Sequence, residues 1–311
     1  MTERHYAPSR AELCGRATLL NLECLKRCPA QRTAGVLLPS TWHNSSIVGP
    51  VMASDDLCLL DLVEIGRRVQ ARQLSSVEVT QAVLDRIARL DGRLKSYVTL
   101  TADLALAEAG RADAQIAGGA IRGPLHGVPI AVKDLCHTKG ISTSAGMTIH
   151  KDYRPEQDAT VVTRLREAGA VLLGKLKLTE GAYAAHHPSI DPPINPWSAA
   201  HWTGVSSSGS GVATAAGLCY GSLGTDTLGS IRFPSTMNGI TGLKPTWGRV
   251  SRAGVFPLAQ SLDHVGPMTR SAADAAAMLG AIAGRRSSPS RTDCNKKSTK
   301  CSPRATRNEN P

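Results

Sequence analysis

The sequence predicts an α/β fold, with α/β/α layers around a central mixed, mostly parallel sheet. Short apolar runs bounded by turn residues, Gly127-Val-Pro-Ile-Ala-Val-Lys133 and Ala170-Val-Leu-Leu173 being the plainest, read as strands. Amphipathic helical periods lie between them. Runs that are continuously apolar rather than alternating belong to strands buried on both faces, as in a sheet covered by crossover helices. The 311 residues, 41% of them hydrophobic, suffice for one large α/β core or two smaller ones, and an aromatic share of 4% makes that core aliphatic.

Residues 1–51 run through Pro, Ser, Thr, Asn and Cys without helical period or strand alternation, and read as an unstructured N-terminal extension. The texture changes at Met52, so 52–284 reads as the folded domain. Asp55 and Asp56 precede a helix-like run from Leu59 to Ala71. Ser75 and Glu78 have the spacing of a capping box, in which each side chain satisfies an N–H at the start of a helix. The helix so opened sets Val79, Val83, Ile87 and Leu90 on one face. An alanine-rich helix from Asp103 to Ile116 ends at Gly118-Gly119. Asp158 is placed to cap a helix that runs to Ala168 and is stopped by Gly169. Gly211 to Leu218 reads as a small-residue helix behind a serine-rich turn, and Ser271 to Ile282 as a last helix with Ser271 and Asp274 at its start. Beyond Gly284 there is no Val, Ile, Leu, Phe, Tyr or Trp, too little apolar surface to offset the entropy of ordering, so 285–311 reads as a disordered basic tail.

The net charge of +11 sits mainly at the ends. Residues 1–51 hold six Lys/Arg against three Asp/Glu and residues 285–311 eight against two, which leaves +2 for 52–284. A nearly neutral body argues against a nucleic-acid partner, which would call for a basic groove across the domain. Five of the eight cysteines also lie in the ends, and Cys58, Cys136 and Cys219 in the body fit scattered thiols of a reducing compartment. Cys24 and Cys28, with His5 and His43, lack the second close ligand pair of a zinc site. No run approaches the ~18 apolar residues of a membrane span, and the first thirty residues lack a signal-peptide pattern. The expectation is a cytoplasmic protein without a membrane partner, its oligomeric state, homodimer included, left open.

Two turns of small residues stand out, Gly204-Val-Ser-Ser-Ser-Gly-Ser-Gly211 and Gly224-Thr-Asp-Thr-Leu-Gly-Ser-Ile-Arg-Phe-Pro234. Glycine-rich turns let main chain approach a ligand and present free N–H groups to developing negative charge. Ser230 follows such a turn, as a nucleophile of acyl transfer would. A serine needs a base, and His186, His187, His201 and His264 sit in no motif that supplies one. Lys133 ends an apolar strand, where desolvation favours the neutral amine. Ser206, Ser207 and Ser208 offer hydroxyls that could relay a proton between them.

These blocks, together with Gly242-Leu-Lys-Pro-Thr246 and Ser261-Leu-Asp-His-Val-Gly-Pro-Met-Thr269, resemble the amidase signature family over about residues 55–284. The resemblance implies hydrolysis of carboxylic amides by a Ser-Ser-Lys triad. Ser230 would be the nucleophile, Lys133 the base, and Ser206, 24 residues before Ser230, the bridging serine with a cis peptide. The amides of Thr227, Leu228, Gly229 and Ser230 would form the oxyanion hole, and Ser207, Asp226 and Arg232 would hold the site together. No metal or organic cofactor is implied, and the partner would be a small-molecule amide.

The sequence departs from the family's Gly-Gly-Ser-Ser-Gly-Gly and Gly-Gly-Ser at Val205, Ser208 and Leu228. Family members also continue past the Gly-Pro-Met-Thr block, where this chain has its basic tail, so the expectation is a domain truncated at its C-terminal side. Two alternatives remain: the glutamine-hydrolysing A component of an aminoacyl-tRNA amidotransferase, against which Phe233 stands where that component tends to carry glutamine, and an inactive truncated fragment.

Overall fold

A computed structural model describes residues 54–284, with side chains from residue 56 onward. The expectations for 1–51, for the cysteines within it and for 285–311 lie outside the described residues. Helices α1 (Ser54–Leu59) and α2 (Leu62–Gln70) replace the single helix expected from Leu59 to Ala71. The break is imposed from elsewhere in the chain. Tyr220 Oη donates to the Leu57 carbonyl at 2.9 Å and the Arg270 guanidinium to that of Leu60, while the Val63 N–H at the head of α2 donates to Asp274 Oδ1 at 3.0 Å. Helix α3 (Ser76–Leu94) opens with the expected capping box, buries Val79, Val83 and Ile87, and ends at Lys95 in the left-handed region.

Strand β1 (Tyr97–Leu100) and helix α4 (Ala102–Ala117) lead to β2 (Pro129–Lys133). Helix α5 (Thr160–Glu167) then precedes β3 (Val171–Leu176). Ala159, not Asp158, is the N-cap of α5; the Asp158 carboxylate instead accepts from the Lys139 N–H at 2.7 Å and pairs with Arg166 at 3.2 Å. Helix α6 (Ser208–Ala215) starts three residues before the expected Gly211 and is followed by β4 (Gly221–Asp226) and α7 (Arg232–Asn238). Strands β5 (Thr241–Gly242) and β6 (His264–Thr269) precede α8 (Ala272–Ile282), whose N-cap Ser271 accepts from the Asp274 N–H.

The six strands form one sheet in the order β1-β3-β2-β4-β6-β5. Its centre, β3-β2-β4, is parallel, whereas β1 joins β3 and β6 joins β4 antiparallel, and β5 pairs antiparallel with β6. Four strands therefore run one way and β1 and β6 the other, the mixed α/β sheet the sequence predicts. Every residue of β2, β3 and β4 is buried. Successive strand side chains point to opposite faces, so both faces of the centre are covered. Helices α4, α6 and α8 pack on β3, β4 and β6 respectively. The core is aliphatic as composition requires, with Leu62, Ile65, Val79, Val83, Val132, Leu173 and Leu223 enclosed and the thiols of Cys58, Cys136 and Cys219 buried. No described helix is long and apolar enough to cross a membrane.

Candidate active site

In this covered sheet the carboxyl ends of β2 and β4 emerge side by side, since the parallel pairing sets Ala131 opposite Ser222 and Val132 opposite Leu223. Such strand ends, with the turns that follow, are where open α/β sheets bind ligands. Lys133 is the last residue of β2, Asp226 the last of β4, and the 204–207 loop leads into α6 against β4.

Lys133 is fully enclosed, its Nζ 2.7 Å from Ser206 Oγ and 2.9 Å from Thr225 Oγ1. Burial drives its pKa down from 10.5 to about 7, only partly opposed by the negative charge that Cys136, Asp226 and Asp263 can supply. Asp134, next in the chain, does not neutralise it. That carboxylate pairs instead with the second buried lysine, Lys175, at 3.2 Å and accepts from the Ser144 N–H at 2.9 Å and hydroxyl at 2.6 Å. Lys175 also donates to the Cys136 carbonyl at 2.8 Å and to Thr143 Oγ1 at 2.7 Å. Two lysines are thus taken out of water on adjacent strands, one held as an ion pair, the other against hydroxyls alone.

The Val205–Ser206 peptide bond is cis, and Ser206 is enclosed. Ser207 ties this loop to the next: its N–H donates to the Ser230 carbonyl at 3.3 Å, and its hydroxyl meets both the carbonyl and the N–H of Thr225 at 3.3 Å. Ser230 is partly exposed, and its hydroxyl hydrogen-bonds none of the described residues. The structure therefore joins Lys133 to Ser206 side chain to side chain, and the Ser206 loop to Ser230 through main chain.

Asp226 organises the turn before Ser230. Oδ1 accepts from the Gly229 N–H at 2.8 Å, Oδ2 from the Ile231 N–H at 3.2 Å, and Arg232 donates to Oδ2 through Nε at 2.9 Å and to Oδ1 through Nη2 at 3.0 Å. Burial opposes the carboxylate charge, but Arg232 and the two N–H donors outweigh it and hold the pKa below its ordinary value. One expectation is corrected here, because the Gly229 N–H is spent on Asp226 and is not free for an oxyanion. The N–H groups of Thr227, Leu228 and Ser230 donate to none of the described residues.

The departures from the family pattern fall where the backbone tolerates them. Positive φ in this turn falls on Gly229, at 135°, and not on Leu228. A Cβ on Gly229 would lie 2.3 Å from the Phe233 ring, and one on Gly204 2.5 Å from Pro234 Cα, so those two glycines serve close approach as well as conformation. Leu228 is 76% exposed. Ser208 meets His186 Nε2 at 3.1 Å, and burial, with Lys177 nearby, pushes His186 down to about 4, so that ring is neutral. Among the described residues no histidine hydrogen-bonds Ser206 or Ser230.

Sequence reasoning missed Thr225, although it lies within the Gly224-Thr-Asp block, and the Asp134-Lys175 pair, although a lysine inside the apolar run Val171-Leu-Leu-Gly-Lys175-Leu is itself a signal. It also passed over Asp263, whose carboxylate accepts from Thr227 Oγ1 at 2.6 Å and from the N–H groups of Leu258 and Ala259. Among the described residues no group of three or more His, Cys, Asp and Glu could hold a metal ion.

Residues 78–310 match the family described as Amidase. The chain is 60% identical over 239 residues to the putative amidase AmiD of Mycobacterium tuberculosis (strain ATCC 25618 / H37Rv), covering 77% of this chain and 50% of that one. It is 49% identical over 231 residues to the A component of the glutamyl-tRNA(Gln) amidotransferase of Anaeromyxobacter dehalogenans (strain 2CP-C), covering 74% and 47%. Among solved structures it is similar to the native peptide amidase from Stenotrophomonas maltophilia, with a TM-score of 0.69 and 46% identity over 73% of this chain and 48% of that one. The chain spans about half the length of the relatives it matches. With the family match, the identity to its relatives and the fold agreeing over the same residues, the chain belongs to the amidase family.

Proposed function

We propose that this chain carries the nucleophilic centre of an amidase acting on small carboxylic amides, with Ser230 as nucleophile, Ser206 as bridge and Lys133 as base. The observation that carries this reading is the enclosed Lys133 Nζ, 2.7 Å from Ser206 Oγ and pushed down to about 7. At neutral pH a large fraction of that amine is uncharged and can accept a proton. Ser230 Oγ attacks the amide carbon as its proton passes to Ser206 Oγ, whose own proton passes to Lys133 Nζ. The carbonyl oxygen becomes an oxyanion, held by the free N–H groups of Thr227, Leu228 and Ser230, each worth roughly 3–4 kcal/mol when well placed. Lys133 returns the proton along the same path to the leaving nitrogen, the C–N bond breaks, and an amine or ammonia departs. The acyl group is left on Ser230 Oγ, and water, deprotonated by the same relay, then frees the acid.

The rim of the turn supports an apolar amide over glutamine. Leu228, Phe233 and Trp202 are exposed there, with the last two rings 6.4 Å apart. This weighs against the amidotransferase reading, which ammonia release from glutamine solely in the presence of partner chains would restore. The test is a fluorophosphonate probe on the full chain. Labelling that Ser230→Ala abolishes supports the centre, and a folded sample that does not label favours the inactive-fragment reading.

A further inference from the structure

We propose that His264 is a positioning residue for the oxyanion site, acting through the Asp226–Thr227 peptide; the inference rests on the catalytic reading above. The antiparallel register sets His264, first in β6, opposite Asp226, last in β4. His264 Nδ1 lies 3.2 Å from the Asp226 carbonyl oxygen, and His264 Nε2 lies 3.2 Å from Lys244 Nζ. A carbonyl oxygen can only accept and an ammonium can only donate. Both contacts are satisfied together by one form of the ring, the neutral tautomer with its proton on Nδ1 and its lone pair on Nε2. Lys244, which also donates to the Pro245 carbonyl at 3.2 Å, thereby selects the tautomer that donates to Asp226.

The consequence lies on the far side of the peptide plane. The carbonyl of Asp226 and the N–H of Thr227 belong to one planar unit. A donor at the oxygen draws density from the nitrogen and makes its N–H a stronger donor, the ordinary cooperativity of hydrogen-bonded amides. That N–H is among the three left free beside Ser230. The neighbouring residue anchors the Thr227 side chain, since Asp263 Oδ1 accepts from Thr227 Oγ1 at 2.6 Å and the carboxylate is held in turn by the N–H groups of Ala259, on Oδ1, and Leu258, on Oδ2. Asp263 thus helps fix the position of Thr227, and His264 raises the donor strength of its N–H. The ring nitrogens of His264 are engaged by Lys244 and the Asp226 carbonyl rather than by Lys133, Ser206 or Ser230, so its effect on the reaction is indirect.

The test separates donation from packing. His264→Asn keeps an N–H near the place of Nδ1, His264→Phe keeps the ring volume without a donor, and His264→Ala removes both. With the full chain and a fluorophosphonate probe, whose phosphoryl oxygen occupies the oxyanion position, the expected result is a second-order labelling rate about tenfold or more lower in Ala and Phe and within about threefold of wild type in Asn. Equal rates in all four proteins, or equal losses in Asn and Phe, would overturn the proposal. A second readout does not need a reactive Ser230. Long-range nitrogen-proton spectra of the wild type should show His264 neutral and protonated on Nδ1, and the Thr227 amide resonance should move in His264→Phe and return in His264→Asn. A wild type that fails to label leaves the decision to those spectra: an unmoved Thr227 resonance sinks the His264 proposal, whereas absence of labelling alone counts against the catalytic reading.

Discussion

Replacing Lys133 with methionine removes one charge from an enclosed site while keeping most of the side chain's length, and its effect on stability can be worked out from the pKa. The unfolded lysine titrates near 10.5 and the folded one near 7. Between those values the unfolded chain binds a proton that the folded chain does not, so stability rises with pH across the window and is flat below about 7. Each pH unit well inside the window is worth about 1.4 kcal/mol. The accumulated cost of keeping Lys133 enclosed is therefore about 4 kcal/mol at pH 7, where half of the folded amine is charged, and about 2 kcal/mol at pH 9. The variant has no such titration. Urea unfolding of both proteins at the two pH values should show the stability of the variant relative to wild type falling by about 2 kcal/mol from pH 7 to pH 9. Ser206 and Thr225 lose their amine partner in the variant, but that loss is the same at both pH values and cancels. On the proposed mechanism, in which the uncharged Lys133 amine is the base, the fluorophosphonate labelling rate of the wild type should rise as pH passes through about 7. A stability difference identical at pH 7 and pH 9 would mean that Lys133 keeps an ordinary pKa, and the relay would lose its base.

Three further perturbations bear on the rest of the site. Gly229→Ala places a Cβ 2.3 Å from the Phe233 ring at a φ of 135°, so labelling should fall strongly, and adding Phe233→Ala should restore only part of it, because the backbone strain persists; full recovery would show that crowding alone matters. Asp226→Ala leaves the main-chain donors of Gly229, Ile231 and Arg232 without their acceptor and should cost about 3 kcal/mol in denaturant unfolding, while Arg232→Ala, losing a guanidinium that is 54% exposed, should cost about 1 kcal/mol or less; equal losses would contradict the assignment of the turn to Asp226. Asp134→Asn and Lys175→Met should each destabilise by about 3–5 kcal/mol as one buried charge loses the other, with the double variant well short of the sum; additive losses would mean that the two side chains are not coupled.

The parts of this fold that were legible in sequence are those whose cause is local. Strands β2 and β3 announce themselves as apolar runs because both faces are covered, and α3 because its capping box and apolar face lie within one stretch. Strand β6 does not, since Gly266 and Pro267 interrupt its run, and β5, at two residues, has no pattern to read. The division between α1 and α2 is decided by Tyr220 and Arg270, more than 150 residues away, and Asp158 is diverted from its cap by Lys139 and Arg166. At the site, Lys133, Ser206 and Ser230 became candidates through the resemblance of their blocks to the amidase signature family. The commitment of Asp134 to Lys175 and of the Gly229 N–H to Asp226 was not, because each turns on which of several partners lies closest in space.

Spatial partners also explain why Ser208 and Leu228 can stand where the family has glycine. A glycine is indispensable where φ is positive or a Cβ would meet fixed atoms, and in the turn before Ser230 both conditions fall on Gly229. Leu228 meets neither, and its side chain stands out into solvent at the rim. Ser208 lies at the first position of α6, where its hydroxyl finds His186 rather than a backbone group it would have to displace. The charge arrangement is equally undisturbed, because what lowers the Lys133 pKa is enclosure together with the diversion of Asp134, and neither of these side chains carries a charge that would alter either. Leu228 therefore adds apolar surface at the rim, whereas Ser208 is enclosed and leaves that surface unchanged.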